Sequence, residues 1–318
     1  MQLIWNICML VVGFVILIKG ADVFVEGASS IAAKFHIPQI VIGLTIVAFG
    51  TSAPEAAVSI SAAVRGSGGI AVGNIIGSNI LNILLILGVT SCIRSIPVQK
   101  STYKIEIPLV LTATILMVVM GHSMGMLNKF SGLVFWGVLL LFFAHLIREA
   151  KKGMSEPTEE DIVIQNIGYN NNMFVLILVT VAGLAAIVWG SNLTVDGATG
   201  VAKMLGMSDR LIGLTIVAFG TSLPELITSV TAARKGNCDI AVGNIVGSNL
   251  FNLLFVLGTT ALIIDIPYGM EYLVDGLICI AAVVILMVSI WKEKKLTRKG
   301  GWVMLVSFAA YFAYLLVK

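Results

Sequence analysis

Long apolar stretches separated by short polar breaks run along almost the whole 318-residue chain. Ten of them can be drawn, at 3–25, 38–64, 69–93, 105–121, 128–147, 173–200, 210–233, 239–264, 271–291 and 301–317. Most have the roughly 20 residues that an α-helix needs to cross a bilayer. A membrane β-barrel would instead show alternating segments of about 10 residues. The pattern therefore predicts an all-α integral membrane protein with ten transmembrane helices.

The composition agrees with this reading, because 58% of the residues are hydrophobic, 12% are charged and the mean hydropathy is +1.00. One water-soluble core could not hide so much apolar surface. The net charge of +3 gives no basic surface for nucleic acid. The four cysteines are scattered without a CxxC spacing, and we interpret them as small packing residues.

The positive residues are unevenly placed. Lys and Arg number 14 in the connections after the first, third, fifth, seventh and ninth stretches and five on the other side, termini included. Since positive residues favour the cytoplasm, we expect a multi-pass cell-membrane protein with both termini outside. The first stretch lacks a positively charged start and is long for a signal peptide, so we expect it to be retained.

The chain contains an internal repeat. At a constant offset of 170, residues 41–90 and 211–260 are identical at 31 of 50 positions, and a weaker likeness extends upstream. The repeat unit is about five stretches long, and an odd number of spans predicts that the second copy is inverted. Inverted repeats place a shared motif at their interface, near the bilayer midplane. We therefore expect a first five-helix repeat at 1–148, a short solvated cytoplasmic linker at 149–172 and an inverted repeat at 173–318.

The strongest identity surrounds the motifs GTSAPE at 50–55 and GTSLPE at 220–225. Pro54 and Pro224 have no backbone N–H, so they predict broken helices that free carbonyl groups inside the membrane. Oxygen-bearing residues stand beside both breaks, namely Thr51, Ser52 and Glu55 in the first copy and Thr221, Ser222 and Glu225 in the second. A buried glutamate in a membrane helix costs about 2.5 to 3.5 kcal/mol, so two at matching positions indicate a functional site.

A second motif reads GNIIGSNILN at 73–82 and GNIVGSNLFN at 243–252. Polar residues recur every four positions and predict one polar stripe on each helix, made of Asn74, Ser78 and Asn82 and of Asn244, Ser248 and Asn252. The glycines between them, also four apart, predict close approach of another helix, which we expect to be the broken one.

These donors favour a particular class of ligand. Carboxylate, hydroxyl, amide and carbonyl oxygens without nearby Cys or His suit hard cations such as Ca²⁺ and Na⁺. No phosphate-binding motif is present to power transport, so a second ion must supply the energy. We expect no cofactor, no obligatory protein partner and no enzymatic activity, because no nucleophile with base and oxyanion partners can be named.

The paired motifs closely resemble the two alpha-repeats of the cation/Ca²⁺ exchanger superfamily, in its prokaryotic Na⁺/Ca²⁺ exchanger branch. The resemblance covers almost the whole chain and implies that spans one and six slide across a rigid remainder to give alternating access. It also implies a diamond of cation sites formed by the carbonyls of Ala48, Thr51, Ala218 and Thr221 and the side chains of Ser52, Glu55, Ser78, Asn82, Ser222, Glu225, Ser248 and Asn252.

The resemblance implies an antiporter that exchanges Na⁺ for Ca²⁺. Some archaeal and K⁺-dependent members of the family carry Asp where this chain has Asn252, so we expect transport to be K⁺-independent and electrogenic. A Ca²⁺/H⁺ antiporter that uses the same glutamates is the main alternative. A cation channel is more remote, because a pore needs a continuous polar lining and polarity here is confined to the midplane.

Overall fold

The computed structural model describes residues 2–35, 37–66, 68–153, 172–206 and 218–317, and these are almost entirely helical. The helices are α1 (Gln2–Lys34), α2 (Gln39–Thr51), α3 (Ala53–Val64), α4 (Gly68–Ile93), α5 (Thr102–Met124), α6 (Lys129–Gly153), α7 (Met173–Met204), α8 (Ala218–Thr221), α9 (Leu223–Lys235), α10 (Cys238–Ile263), α11 (Met270–Trp291) and α12 (Arg298–Val317). The strands are β1 (Ile96–Pro97), β2 (Met126–Leu127), β3 (Ile266–Pro267) and β4 (Lys295–Leu296).

The helices agree with the all-α membrane fold that the apolar pattern predicts. Seven described helices are long and apolar enough to cross a membrane, and the bent pair α2–α3 would be an eighth. The stretch expected at 210–233 is described only from residue 218, as α8 and α9. Residues 154–171 of the expected linker lie outside the described residues, while α6 continues to Gly153.

Two helices lie at the centre of the molecule. In the most apolar 18-residue stretch of α10, 94% of the residues are buried, and in the corresponding stretch of α4 72% are buried. For α1 and α7 the share is 28% each, so these two helices are peripheral. The second motif of each repeat therefore lies on a central helix, α4 or α10.

The peripheral helices α1 and α7 pack against each other in antiparallel orientation. Glycines recur every seven residues on both helices, as Gly13, Gly20 and Gly27 on α1 and as Gly183, Gly190 and Gly197 on α7. A Cβ atom on Gly20 would lie 2.9 Å from the backbone nitrogen of Ile187, and one on Gly190 would lie 2.6 Å from that of Leu17. The absence of side chains thus lets the two backbones approach closely.

Both helices are longer than their apolar stretches, ending at Lys34 and Met204 rather than near 25 and 200, because helical hydrogen bonding continues into the polar residues that follow.

Two short antiparallel strand pairs connect the halves of the chain. β1 pairs with β4, where Ile96 lies opposite Leu296, and β2 pairs with β3, where Leu127 lies opposite Ile266. The first pair joins the connections after α4 and α11, and the second joins those after α5 and α10. In both cases the charge pattern assigns the two joined connections to the same side of the membrane.

Candidate cation-binding site

The first GTSxPE motif breaks its helix as the proline predicts. The axes of α2 and α3 meet at 51°, and the break lies at Ser52, which has φ −83° and ψ 6°. Ser222 has nearly the same conformation, φ −93° and ψ 5°, between α8 and α9. The missing proline N–H interrupts the hydrogen-bond ladder at both points. One freed carbonyl, that of Gly220, accepts a hydrogen bond from Ser191 Oγ on α7 at 2.9 Å, so a protein group satisfies it.

The two intramembrane glutamates are fully buried, and each is contacted by the other half of the chain. Ser52 Oγ donates to Glu225 Oε1 at 2.7 Å, and Ser222 Oγ donates to Glu55 Oε1 at 3.0 Å. The two carboxylates are also close enough for their negative charges to repel each other. Burying two ionised carboxylates side by side is costly unless a positive charge compensates them.

Neighbouring hydroxyl groups complete the surroundings of the carboxylates. The hydroxyl groups of Thr221, Thr51 and Ser248 lie near the two carboxylates. Thr51 Oγ1 donates to Asn244 Oδ1 at 3.0 Å. The hydroxyl of Ser248 also lies 3.4 Å from the carbonyl oxygen of Ala48. The structure therefore brings together groups from α2, α8 and α10 that lie up to 200 positions apart in the chain.

Four buried oxygens at this place have no hydrogen-bond partner in the described part of the protein: Glu55 Oε2, Glu225 Oε2, Asn82 Oδ1 and Asn252 Oδ1. An unpaired buried polar atom costs about 1 to 3 kcal/mol, and more if it is charged. Two carboxylate and two amide oxygens are the donors that a hard cation prefers. These atoms therefore fit a dehydrated cation.

Two asparagines that the sequence analysis did not single out orient the amides. Asn82 Nδ2 donates to Asn249 Oδ1 at 3.2 Å, and Asn252 Nδ2 donates to Asn79 Oδ1 at 3.2 Å. Asn79 Nδ2 in turn donates to the backbone oxygen of Asn249 at 3.2 Å. Because the amide nitrogens are bound in this way, the oxygens of Asn82 and Asn252 remain available. Both supporting residues stand in the repeated GSN sequence, which was the signal that could have identified them.

The first asparagine of each stripe supports a glutamate-bearing helix. Asn74 Nδ2 donates to Ser59 Oγ at 3.0 Å, and Asn244 Nδ2 donates to Ser229 Oγ at 2.9 Å. The second of these amides also lies 3.4 Å from the backbone oxygen of Glu225. These asparagines thus fix α3 against α4 and α9 against α10.

Two further residues belong to the expected ligand set, Ser78 and Ala218. Ser78 is buried and lines a cavity of about 80 Å³ together with Asn74 on α4 and Phe219, Phe308 and Tyr311 from the second half. Ala218 is the first described residue of α8, and its role stays a prediction.

The two polar stripes differ in how their glycines pack. A Cβ atom on Gly243 would lie 2.9 Å from Gly43, and one on Gly247 would lie 2.7 Å from Ala48 Cβ, so α2 packs closely on α10 as expected. Around Gly73 and Gly77, no described atom lies within 4 Å of the corresponding position, and both glycines line the cavity. The expected approach is therefore present on α10, whereas the counterpart of α2 that would approach α4 includes residues 210–217, which lie outside the described residues.

Comparison with known proteins agrees with these observations. The family profile described as "Sodium/calcium exchanger protein" matches residues 5–148 and 175–317. "Putative antiporter CaxA" of Alkalimonas amylolytica is 39% identical over 310 residues, which are 94% of this chain and 95% of that one. "Sodium/calcium exchanger MaX1" of Methanosarcina acetivorans is 32% identical over 98% of both chains.

The fold is also found among solved structures. A structure of the sodium-calcium exchanger NCX_Mj, soaked with 10 mM Na⁺ and zero Ca²⁺, is similar to this one with a TM-score of 0.84 and 33% sequence identity. The similarity covers 98% of this chain and 99% of that one.

Proposed function

Because the chain belongs to the sodium/calcium exchanger family, we propose that it is a secondary antiporter that exchanges Na⁺ for Ca²⁺ by alternating access. The observation that carries this proposal is the set of four unpaired oxygens on Glu55, Glu225, Asn82 and Asn252. With both glutamates ionised, the site has a charge of −2, which balances one Ca²⁺. Neighbouring hydroxyl and carbonyl oxygens would complete the six to eight ligands that Ca²⁺ prefers.

We propose a fold of ten transmembrane helices in two inverted five-helix repeats. Contacts between the two halves support it, because each contact has a counterpart. The counterpart is found by adding 170 to the residue number in the first half and subtracting 170 from the residue number in the second half. Ser52–Glu225 corresponds to Ser222–Glu55 in this way, and Asn82–Asn249 corresponds to Asn252–Asn79. An arrangement of this kind gives a carrier two related conformations around one fixed site.

The charge of the site sets the expected coupling. Asn252 offers an amide oxygen without charge, so holding K⁺ together with Ca²⁺ would leave excess positive charge in a dehydrated cavity. We therefore propose transport without K⁺. If three Na⁺ replace one Ca²⁺, the loaded carrier differs by one charge, so exchange responds to membrane potential.

A reconstituted system tests this function. Proteoliposomes loaded with ⁴⁵Ca²⁺ would be given an imposed Na⁺, K⁺ or H⁺ gradient in turn, at a clamped membrane potential. We expect Ca²⁺ flux to follow the Na⁺ gradient, to proceed without K⁺ and to change with the potential. Flux that follows only a pH gradient in the absence of Na⁺ would instead favour the second candidate, a Ca²⁺/H⁺ antiporter.

The second candidate rests on the same two glutamates. A buried carboxylate can carry a proton as well as coordinate a cation. For either exchange, we place the protein in the cell membrane with both termini outside, on the basis of the Lys and Arg distribution.

A further inference from the structure

A cluster of charged residues joins α1 to the end of α9, away from the cation site. Lys235 Nζ lies 3.4 Å from Glu26 Oε2 and 3.8 Å from Asp22 Oδ1, and it donates to the backbone oxygen of Asp22 at 3.0 Å. Asn237 Nδ2 adds a hydrogen bond to Ser29 Oγ at 2.8 Å. These four contacts attach a peripheral helix to a helix that carries a site glutamate.

The repeat contains a matching pair of residues. With the offset of 170, Lys235 corresponds to Arg65 and Glu26 corresponds to Asp196, so charges of the same sign recur in both halves. The turn that follows is also matched, because Gly66 and Gly236 have φ angles of +79° and +96°. Yet Arg65 and Asp196 are both exposed, and no ion pair or hydrogen bond between these two described residues is present.

The described surroundings of the central helices that follow Lys235 and Arg65 also differ. Lys235 precedes α10, where Gly243 and Gly247 are closed against α2. Arg65 precedes α4, where Gly73 and Gly77 line the cavity. The ion pair is thus formed beside the central helix that packs on α2, and among the described residues it is absent beside the central helix whose glycines line the cavity.

We propose that these residues are two alternating latches of the transport cycle. The contacts of Lys235 with Asp22 and Glu26 stabilise the conformation in which α2 packs on α10. In the opposite conformation these contacts are broken, and Arg65 pairs with Asp196. The proposal rests on the alternating access proposed above. When inverted halves exchange conformations, each half takes up the contacts that the other had. The formed pair would then open while its counterpart forms.

The size of the effect follows from exposure. The side chains of Lys235, Asp22 and Glu26 are 32%, 40% and 38% exposed, so solvent screens much of their attraction. An exposed ion pair of this kind shifts an equilibrium by about two- to fivefold. That is enough to bias the two conformations without preventing their exchange.

A cysteine at position 240 can report the opening beside α10. Ile240 is fully buried, and its Cα lies 3.0 Å from the position of a Cβ on Gly43, so it lies on the closed face. The variant Ile240→Cys would be made with Cys92→Ser and Cys238→Ala and labelled from the cytoplasmic side of inside-out vesicles with an impermeant maleimide. Its labelling rate measures the population of the conformation that is open on this side.

Adding Lys235→Glu should raise the labelling rate about two- to fivefold. The control Arg234→Glu makes the same charge change one residue away, at an exposed side chain without an ion pair among the described residues, and should leave the rate unchanged. Exchanging the charges, with Lys235→Glu and Glu26→Lys together, should return the rate toward that of the parent. If Lys235→Glu does not fold, Asp22→Asn with Glu26→Gln removes the same attraction from the α1 side.

The second latch is tested with the same reporter. Arg65→Glu should lower the labelling rate at position 240, because it removes a contact of the opposite conformation. Equal rates for Lys235→Glu and Arg234→Glu, or no recovery in the exchanged pair, would overturn the proposal, and an unchanged rate in Arg65→Glu would overturn its second half. Ca²⁺ flux in the Ile240→Cys parent that ignores Na⁺ would overturn the proposed exchange instead and would leave the labelling result standing.

Discussion

The hydroxyl of Ser52 lies 2.7 Å from a carboxylate oxygen of Glu225, 173 positions further along the chain. The reverse contact joins Ser222 to Glu55 at 3.0 Å. Each half of the chain therefore completes the surroundings of the other half's carboxylate. Since a single half would have the glutamate without its opposing hydroxyl, the site depends on both halves being assembled.

This contact predicts the effect of Ser52→Ala. A hydrogen bond to a charged group contributes about 1.5 to 3 kcal/mol, so we expect the half-saturating Ca²⁺ concentration to rise at least about tenfold. The exposed Ser61, on α3 nine residues further along, provides the control variant Ser61→Ala. Equal Ca²⁺ dependence in the two variants would show that the Ser52 hydroxyl does not support the bound ion.

Neutralising either glutamate should be more severe. Glu55→Gln and Glu225→Gln each halve the charge of the site while nearly preserving its shape, so we expect loss of Ca²⁺ transport from a folded protein. Glu293→Gln, at an exposed residue outside the site, should transport normally. Flux near the parental rate in either site variant would disprove the assignment.

Asn249→Ala tests the support behind Asn82. The substitution leaves Asn82 Nδ2 buried without the acceptor that lies 3.2 Å away, so its amide is free to turn. We expect a weaker apparent Ca²⁺ affinity and a stability loss of about 1 to 3 kcal/mol. Asn192→Ala, at an exposed residue of α7, is the matched control. Unchanged Ca²⁺ affinity together with lowered stability would restrict Asn249 to a packing role.

Asn252→Asp should change which ions are required more than it changes protein yield. An added carboxylate makes the charge of the site more negative, from −2 toward −3, which would compensate the charge of a monovalent ion beside Ca²⁺. Ca²⁺ flux would be measured with and without K⁺ for both proteins. A strict K⁺ requirement already present in the parent would contradict the argument from charge.

The membrane orientation can be checked separately. A tag at either terminus should be accessible from outside intact cells, and a reporter next to Lys294 should be cytoplasmic, as the Lys and Arg distribution predicts. The strand pair β1–β4 places the connection that carries Lys294 beside the one that follows α4, so a reporter near Arg94 should behave in the same way. Opposite accessibility of these two connections would contradict the pairing.

Much of the candidate site was predictable from sequence because the same motif residues occur in both repeats. Glu55 and Glu225 stand out as charges in apolar stretches, and each proline marks a break that the structure contains. Asn79 and Asn249 were missed because they lie beside the predicted polar stripe, one position from Ser78 and Ser248. Their role depends on a partner helix from the other half, and periodicity within one helix does not show it.

The different described surroundings of Gly73 and Gly243 could not be predicted from two nearly identical sequences. Gly73 and Gly243 occupy the same position in their motifs, yet one lines a cavity and the other touches Gly43. A repeat specifies which contacts each half can make, and under the proposed alternating access the conformation would determine which half makes them at a given time. The same reason separates Arg65 from Lys235.

The spacing of the glycines between α1 and α7 has a mechanical consequence. At each of these glycines the backbone of the other helix lies close by, and consecutive glycines are seven residues apart, which is about 10 Å along the helix axis. A smaller displacement of one helix along the other would press side chains into backbone, because a Cβ on Gly183 would already lie 2.7 Å from Phe24 N. We therefore expect the two helices to move together, so that a displacement of α1 would carry α7 with it.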